Sequence, residues 1–245
     1  GVIDSQFGAL PIFAGTFVIT VIALGVAIPI GLGSAIYMSE YASPKLRDYL
    51  KPLLEVLAGI PSVVYGFFAA ITVAPLVVKI AEAIGLEATF NSALASGIVM
   101  GIMIIPTISS LSDDVIRSVP DSQRKASFGL GMTHGETIRD IVLPSAMPGI
   151  ISASLLALSK ALGETMVVVM AAGLRPNLSW NPLEDMTTVT VTIVNALVGD
   201  FEFSSPETLS AFALGLVLFV VTLILNMISL SLIRKFKEKY KVNTL

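Results

Sequence analysis

The sequence predicts an all-α integral membrane protein that crosses the bilayer several times, on two observations. First, 54% of its 245 residues are hydrophobic and only 13% are charged, against roughly 25% charged in a soluble domain. Second, five apolar stretches approach or exceed the ~20 residues that a helix needs to cross a hydrocarbon core of ~30 Å. These stretches are unbroken, and they lack the apolar–polar alternation that a transmembrane β-barrel requires.

The five predicted spans cover residues 11–38, 53–78, 93–111, 147–172 and 209–233. The first span is too long, and its start too poor in basic residues, for a signal peptide. Cysteine is absent, which excludes disulfides and thiolate metal sites, and the single histidine, His134, argues against any metal site. The chain carries no basic patch of the kind that binds nucleic acid. Residues 1–245 are therefore predicted to form one transmembrane domain whose surroundings are membrane lipid.

Basic residues are distributed unequally between the predicted loops. Of the fifteen Lys and Arg residues, twelve fall in the loops after the first and third spans or in the C-terminal tail, and only Lys79 and Arg175 fall on the opposite side. The fifteenth, Lys160, lies inside the fourth span. By the positive-inside rule the twelve face the cytoplasm. The C-terminus is then cytoplasmic, the N-terminus is outside, and the longest external loop is 173–207.

Two short helices are predicted within the long cytoplasmic connection at residues 112–147. Asp121 directly follows Pro120 and has the side chain of an N-cap for a helix that ends near Gly129. The cytoplasmic connection is therefore expected to be ordered.

A capping box marks the second short helix. Thr133 is followed three residues later by Glu136, and this helix is expected to end at Leu143, because Pro144 disfavours helical geometry in the residue before it. Gly129 and Gly131 would form the bend between the two helices. Their apolar positions are Phe128, Leu130, Met132, Ile138, Ile141 and Val142. Such a surface either packs against the ends of its own helices or docks a cytoplasmic partner.

Ionisable side chains inside the fourth span indicate a polar pathway. Lys160 and Glu164 lie near its middle, where an ionisable group costs about 2.5 to 3.5 kcal/mol of insertion free energy. Because they are four residues apart, they are expected to share a helix face and to pair. Hydroxyl groups nearby belong to Ser152, Ser159 and Thr165. The alternative is a purely structural ion pair.

The second predicted span contains helix-breaking residues. Gly59, Pro61 and Gly66 fall within it, where Pro removes a helical hydrogen bond and Gly allows a kink or a close helix approach. These residues either form a packing kink or act as a hinge during a change of shape.

One cytoplasmic motif resembles a known signature. Lys125-Ala126-Ser127, Gly131 and Ile141-x-Leu143-Pro144 have the spacing of the cytoplasmic loop of importer-type ABC permeases, usually Glu-Ala-Ala, three residues, Gly, nine residues and Ile-x-Leu-Pro. Lys125 and Ser127 depart from that pattern. The resemblance implies that the loop inserts into a groove on an ATPase subunit and transmits its closure to the membrane helices, with Gly131 allowing the sharp turn.

Further motifs narrow the resemblance. Met38 to Tyr41, Leu54 to Gly66 and Ala161 to Met166 are together similar to phosphate transport system permeases of the PstC type, and the similarity extends over nearly the whole chain. The resemblance implies the type I importer permease fold with six spans, one of which would precede Gly1. It also implies a location in the inner membrane of a bacterial or archaeal cell. The family usually has Arg where this chain has Lys160.

The resemblance implies a transport subunit that works with partners. These are a sister permease, two cytoplasmic ATPase subunits and an external phosphate-binding protein. The sequence contains no Gly-Lys-Ser/Thr phosphate loop, so ATP is expected to be bound by a partner, and the chain itself is predicted to have no cofactor and no enzymatic site. The alternatives are a permease for another oxyanion, such as tungstate or molybdate, and an ion-coupled secondary transporter that uses Lys160 and Glu164.

Overall fold

Helices form all the regular structure of the described chain. The computed structural model describes residues 8–198 and 205–241, with the backbone alone at 229 and 232–241. Five helical segments are long and apolar enough to cross a membrane, and we number them span 1 to span 5: Leu10–Tyr41, Ser62–Ala83, Ala93–Arg117, His134–Leu162 and Pro206–Ile228. The predicted all-α class and the five spans are confirmed.

The helices follow one another with short connections. In chain order they are α1 (Leu10–Ile36), α2 (Pro44–Ala58), α3 (Ser62–Phe68), α4 (Ala74–Ala83), α5 (Ala93–Arg117), α6 (Asp121–Gly129), α7 (His134–Thr137), α8 (Leu143–Leu162), α9 (Met166–Ala171), α10 (Val189–Leu197) and α11 (Pro206–Lys241). Turns of π-helix, at Tyr37–Tyr41, Ala69–Val73 and Ile138–Val142, extend α1, join α3 to α4 and join α7 to α8.

The second span begins later than the sequence predicts. Residues 53–58 belong to α2, which ends at Ala58 with Gly59 as its C-cap, and Pro61 precedes α3 in an extended conformation with ψ 137°. The prediction was wrong here because α2 carries an exposed apolar stripe, which the hydropathy pattern merges with the span that follows. That stripe consists of Leu46, Tyr49, Leu53, Val56 and Leu57.

The fourth span begins earlier and ends earlier than predicted. The second short helix does not stop at Leu143, because the π turn carries the chain without a break from α7 into α8. In this turn the N–H of Leu143 donates to the carbonyl of Ile138, five residues back. The wider turn accommodates Pro144 near the start of α8. At the other end α8 stops at Leu162, ten residues before the predicted end of the span.

The chain divides into two compact units. Unit 1 comprises Gly1–Gly25, Ile60–Met103 and Lys160–Leu223. Within it, glycines allow close helix approach: a Cβ added at Gly66 would lie 2.7 Å from Met170 Sδ and 3.1 Å from the carbonyl oxygen of Met166. Gly66 therefore lets α3 pack directly on α9.

Unit 2 comprises Val26–Gly59, Ile104–Ser159 and Ile224–Leu245. Side chains from α1, the C-terminal end of α5, the π turn before α8, and α8 itself meet in its apolar core. The buried members are Ala35, Ile116, Val119, Val142, Ala146 and Ile150. Val119 and Val142, which lie just before α6 and just after α7, belong to this core, so it anchors both ends of the pair of short helices.

Candidate functional site

The segment that leads from span 3 into the first residues of span 4 forms a sharp bend, which we call the elbow and define as residues 121–142. Gly131 adopts φ +85°, in the left-handed region that favours glycine, and it turns the chain between α6 and α7. The start of α6 differs from the prediction by one residue, since Pro120 holds the N-cap position and Asp121 is the first helical residue.

The capping box at the start of α7 is confirmed. The Thr133 side chain accepts a hydrogen bond from the backbone N–H of Glu136, and the Glu136 carboxylate accepts one from the backbone N–H of Thr133 at 2.8 Å. These reciprocal bonds satisfy two backbone donors that the helix cannot satisfy itself. The bend is therefore set locally, by Gly131 on one side and the capping box on the other.

The tip of the elbow exposes apolar side chains. Phe128 and Leu130 are 46% and 84% exposed. Ile138 and Val142, which the sequence places on the same apolar surface, are buried in unit 2, as expected if this part of the surface packs within the chain. The π turn rotates them inward, so the apolar surface is smaller than predicted and centres on the residues just before Gly131.

Ser127 locks the two arms of the elbow together. Its hydroxyl donates to the carbonyl of Arg124 at 2.8 Å and lies 2.9 Å from the hydroxyl of Thr137 in α7. Both hydroxyls are buried. The neighbouring signature residues Lys125 and Ala126 are exposed. The serine that departs from the family pattern thus has a structural partner inside the elbow.

Arg124 connects the elbow to two spans. Its guanidinium Nη2 lies 2.7 Å from Glu40 Oε1, in the π turn at the end of span 1. The same guanidinium donates to the carbonyl oxygens of Ile116 and Val119, at the end of span 3, at 3.1 and 2.5 Å. The Glu40 side chain is only 6% exposed. Sequence reasoning missed this contact, because nothing in the spacing of two residues 84 positions apart indicates that they pair.

His134 lies beside the same carboxylate. Its ring stacks on Phe128 with centroids 6.3 Å apart and meets Tyr41 edge-on at 5.3 Å. Its Nε2 is 3.9 Å from Glu40 Oε2. One aromatic and one polar contact thus join α7 to the end of span 1, and the stacking on Phe128 joins α7 to α6.

A second ion cluster attaches α2 to the end of span 3. Asp113 of α5 is fully buried and accepts hydrogen bonds from Arg47 Nη2 at 2.7 Å and Nε at 3.4 Å. The bond to Asp113 raises the pKa of Arg47 above its ordinary value. Lys51 lies 3.9 Å from Asp113 and pairs with Asp114. A buried carboxylate with two cationic partners holds α2 in a fixed orientation.

The predicted pathway residues surround a break in the helix. In unit 1, Lys160 lies in the last turn of α8 with its side chain exposed. Glu164 lies beyond the helix end, and its carboxylate accepts hydrogen bonds from the backbone N–H groups of Met166 and Val167, at 3.0 and 3.3 Å. The expected pairing of Lys160 and Glu164 on one helix face is wrong, because the helix stops between them and the Glu164 carboxylate caps α9 instead.

The break is bordered by further polar groups of unit 1. Thr165 holds the N-cap position of α9 without a side-chain capping bond. Thr190 of α10 donates its hydroxyl to the carbonyl oxygen of Glu164 at 2.9 Å. Non-helical backbone at membrane depth is tolerated where protein or a polar cavity surrounds it. The residue pattern gave no reason to expect Thr190 at this place.

The two serines of the predicted pathway belong to unit 2. Ser159 donates a hydrogen bond to the side-chain oxygen of Asn226, in span 5, at 3.0 Å. Ser152 lies nearer the N-terminal end of α8 and is half-buried. The sequence pattern alone did not single out Asn226, although a lone amide in an apolar span is a signal of a buried polar contact.

Of the predicted hinge residues, Gly59 and Pro61 lie at the break between α2 and α3. Gly66 lies inside α3 at its contact with α9, in the position of a packing residue. A hinge motion at these residues stays a prediction.

The connection between α9 and α10 is tied to the start of span 3. Backbone N–H groups of Ser92, Ala93 and Leu94 donate to the carbonyls of Ala171, Glu184 and Pro182, at 2.8 to 3.0 Å. These bonds satisfy donors that the first turn of α5 would otherwise leave unpaired. Residues 173–207 also contain α10, so the predicted loop is partly helical.

Polar side chains stiffen this connection. Hydrogen bonds from Ser179, Asn181 and Asn177 hold the pKa of Glu184 below its usual value. Trp180 is exposed and meets Phe17 of span 1 edge-on, with ring centroids 6.3 Å apart.

These features, a helical membrane protein with a bent element between two spans and a broken helix after the second of them, define the permease of an ABC importer. Residues 27–239 match the family of binding-protein-dependent transport system inner membrane components. The chain belongs to this family, and it is therefore a multi-pass protein of the cell membrane that serves as a transport component.

Similar proteins support the motif-based resemblance. A probable ABC transporter permease protein of Bacillus subtilis, YqgH, is 35% identical over 239 residues, which cover 98% of this chain and 74% of that protein. The phosphate transport system permease protein PstC of Mesorhizobium japonicum is 36% identical over 241 residues, covering 91% and 72%. The resemblance to PstC-type permeases is confirmed.

A solved structure shares the fold. In a crystal structure of a bacterial ABC transporter involved in the import of the acidic polysaccharide alginate, one chain superposes with a TM-score of 0.67 at 15% identity, covering 95% of this chain and 80% of that one. The predicted importer-permease fold is confirmed.

Proposed function

We propose that this chain is one permease subunit of an ATP-driven importer of inorganic phosphate. The observation that carries the proposal is the elbow, a preformed bend with an exposed apolar tip that Arg124 ties to the ends of span 1 and span 3. Such a rigid connection moves two spans when a partner moves its tip. The partner is a cytoplasmic ATPase, which binds the ATP.

The rest of the complex follows from the same proposal. A sister permease completes the pathway, two ATPase copies dock on the two elbows, and an external binding protein delivers the substrate. Membership of a binding-protein-dependent transport family supports the external partner. The chain itself contributes no hydrolytic chemistry.

Phosphate is proposed as the substrate on two grounds. Relatives at 31 to 36% identity carry the name phosphate transport system permease. In addition, Lys160 presents an exposed ammonium group at the last turn of α8, beside the helix break. An oxyanion crossing an apolar medium needs a cation or hydrogen-bond donors on its way. Lys supplies a point charge where Arg would supply a bidentate fork.

The orientation belongs to the proposal as well. The elbow and the C-terminus face the cytoplasm, and the segment around Trp180 faces outside, as the distribution of basic residues indicates. Because the chain has no native cysteine, single cysteines at the exposed positions Ser122 and Asn181 report the side directly. Only the Asn181→Cys variant should react with a membrane-impermeant maleimide on intact cells, and labelling of Ser122→Cys from outside would invert the topology.

Transport in proteoliposomes tests the function. The chain is co-reconstituted with the permease, ATPase and binding protein encoded beside it, and uptake of phosphate, sulfate, molybdate and tungstate is measured with and without internal ATP. We expect uptake of phosphate that depends on ATP. If only molybdate or tungstate is taken up with ATP, phosphate is the wrong substrate and the chain is still an ATP-driven importer permease. Uptake driven by an ion gradient without ATP would show that the protein is a secondary transporter and that the proposed function is wrong.

A further inference from the structure

A cavity of about 290 Å³ lies beside the elbow within unit 2. The end of span 1, the start of α2, the end of span 3 and the start of α6 form its walls. Its charged lining consists of the guanidinium groups of Arg47, Arg117 and Arg124 and the carboxylates of Glu40 and Asp121. Neither Lys160 nor a residue of the helix break belongs to its lining, and the proposed transport function leaves the cavity unused.

The lining has a surplus positive charge. Three arginines face two carboxylates in the lining. Arg124 pairs with both carboxylates, with Glu40 at 2.7 Å and with Asp121 at 3.7 Å, and the main partner of Arg47 is Asp113, which does not line the cavity. Arg117 makes no ion pair or side-chain hydrogen bond with any residue that the structure describes. An exposed guanidinium with five free donors is thus held at the wall of a concave, already charged site.

The paired arginines have donors to spare. Arg47 uses Nε and Nη2 for Asp113, and Arg124 uses Nη1 and Nη2 for its partners. Arg47 Nη1 and Arg124 Nε make no hydrogen bond within the described chain. The first turn of α6 lines the cavity as well, and no side chain caps it. All these unused donors suit a group with several anionic oxygens.

We propose that this cavity binds a phosphate group, with Arg117 as its principal ligand. In the orientation proposed above, the cavity lies where spans 1 and 3 meet the cytoplasmic membrane surface, where basic pockets between helices bind lipid head groups. The phosphate group therefore belongs either to an anionic lipid or to free inorganic phosphate. A bound phosphate would bridge α2, the end of span 1 and the elbow.

Binding measurements on an Arg117→Gln variant test the proposal. The full-length chain is placed in phosphatidylcholine nanodiscs with or without phosphatidylglycerol, and retained lipids are counted by native mass spectrometry. Inorganic phosphate is titrated calorimetrically into the discs that contain phosphatidylcholine alone. Arg139→Gln is the matched control, because it removes the same charge from an arginine of the elbow that does not line the cavity and pairs with Asp140.

Arg117→Gln should weaken the binding of either phosphatidylglycerol or inorganic phosphate by at least about tenfold, since it removes the charge-assisted hydrogen bonds of the one lining arginine that has no partner in the described chain. Arg139→Gln should leave both unchanged. Loss of phosphatidylglycerol retention identifies a lipid site, and loss of phosphate binding identifies a site for the free ion. A Lys160→Met variant distinguishes the cavity from the transport pathway. It should abolish phosphate binding in the pathway and leave binding in the cavity unchanged. If Arg117→Gln binds both ligands like the wild type, or if Arg139→Gln weakens them equally, the proposal is overturned.

Discussion

Replacing Glu40 by Ala should separate ATP hydrolysis from transport, because the Glu40 carboxylate is the group through which Arg124 of the elbow holds the end of span 1. The variant leaves the elbow and its exposed tip in place. It removes the contacts of Arg124 and His134 with Glu40, and the ring contact of His134 with Tyr41 remains. A docked ATPase should therefore continue to hydrolyse ATP while the span no longer follows its closure.

The stability cost can be worked from the burial of the pair. Removing one partner of a fully buried ion pair costs about 3 to 5 kcal/mol. Here Glu40 is 6% and Arg124 16% exposed, and Arg124 keeps its hydrogen bonds to two backbone carbonyls, so we expect about 2 kcal/mol for Ala, in the range of a hydrogen bond to a charged group. Glu40→Gln should cost about 1 kcal/mol, because the amide oxygen still accepts a neutral-strength bond.

Two measurements on one preparation check this prediction. The unfolding midpoint of the purified chain gives the stability, and substrate molecules imported per ATP hydrolysed in proteoliposomes give the coupling. Asp140→Asn is the control, since Asp140 pairs with Arg139 on the surface of the same elbow, where such a pair contributes at most about 1 kcal/mol. If Glu40→Ala imports as many molecules per ATP as Asp140→Asn, the end of span 1 does not receive its motion through Arg124.

Three further changes test other parts of the structure. Gly131→Val should lower the free energy of unfolding by more than the roughly 1 to 2 kcal/mol that a non-glycine residue pays for a left-handed conformation, and it should reduce co-purification of the ATPase. Gly129→Val, at an ordinary φ and with open space around its Cβ, should leave co-purification unchanged. Equal recovery of ATPase with both variants would exclude a role for the bend. Gly66→Ala should lower the unfolding midpoint, because its Cβ would lie 3.1 Å from the backbone carbonyl oxygen of Met166 in α9, which cannot move away; such overpacking costs about 1 to 3 kcal/mol. Gly33→Ala, whose Cβ would meet nothing within 4 Å, should leave the midpoint unchanged or raise it. Glu164→Ala should destabilise the chain by about 1 kcal/mol through loss of the cap of α9, and an unchanged midpoint would show that the cap does not form.

The spans and the elbow were predictable because their signals are local. Apolar length alone fixes the number of spans, and the turn between α6 and α7 follows from a glycine and a capping box within six residues, Gly131 to Glu136. Gly131 supplies the conformation that other residues avoid. The capping box needs only side chains three positions apart. In both cases the physical cause lies within a short stretch of sequence.

The site was harder to predict because its contacts connect distant parts of the chain. Lys160 and Glu164 have helical spacing, yet the helix stops at Leu162 and the Glu164 carboxylate takes the free backbone donors of α9. Spacing rules assume a continuous helix, so they fail where one ends. The pairing of Arg124 with Glu40 depends on how span 1, span 3 and α6 pack, and no local pattern contains that information.

The most direct test of the transport account is the initial rate of ATP-driven phosphate uptake by Lys160→Met in proteoliposomes. Lys79→Met serves as the control, because it is the same substitution at an exposed lysine near the C-terminal end of span 2. If Lys160 lies on the transport pathway, Lys160→Met should assemble with its ATPase and lose phosphate uptake, while Lys79→Met should transport at the wild-type rate. Wild-type uptake by Lys160→Met would contradict the transport account.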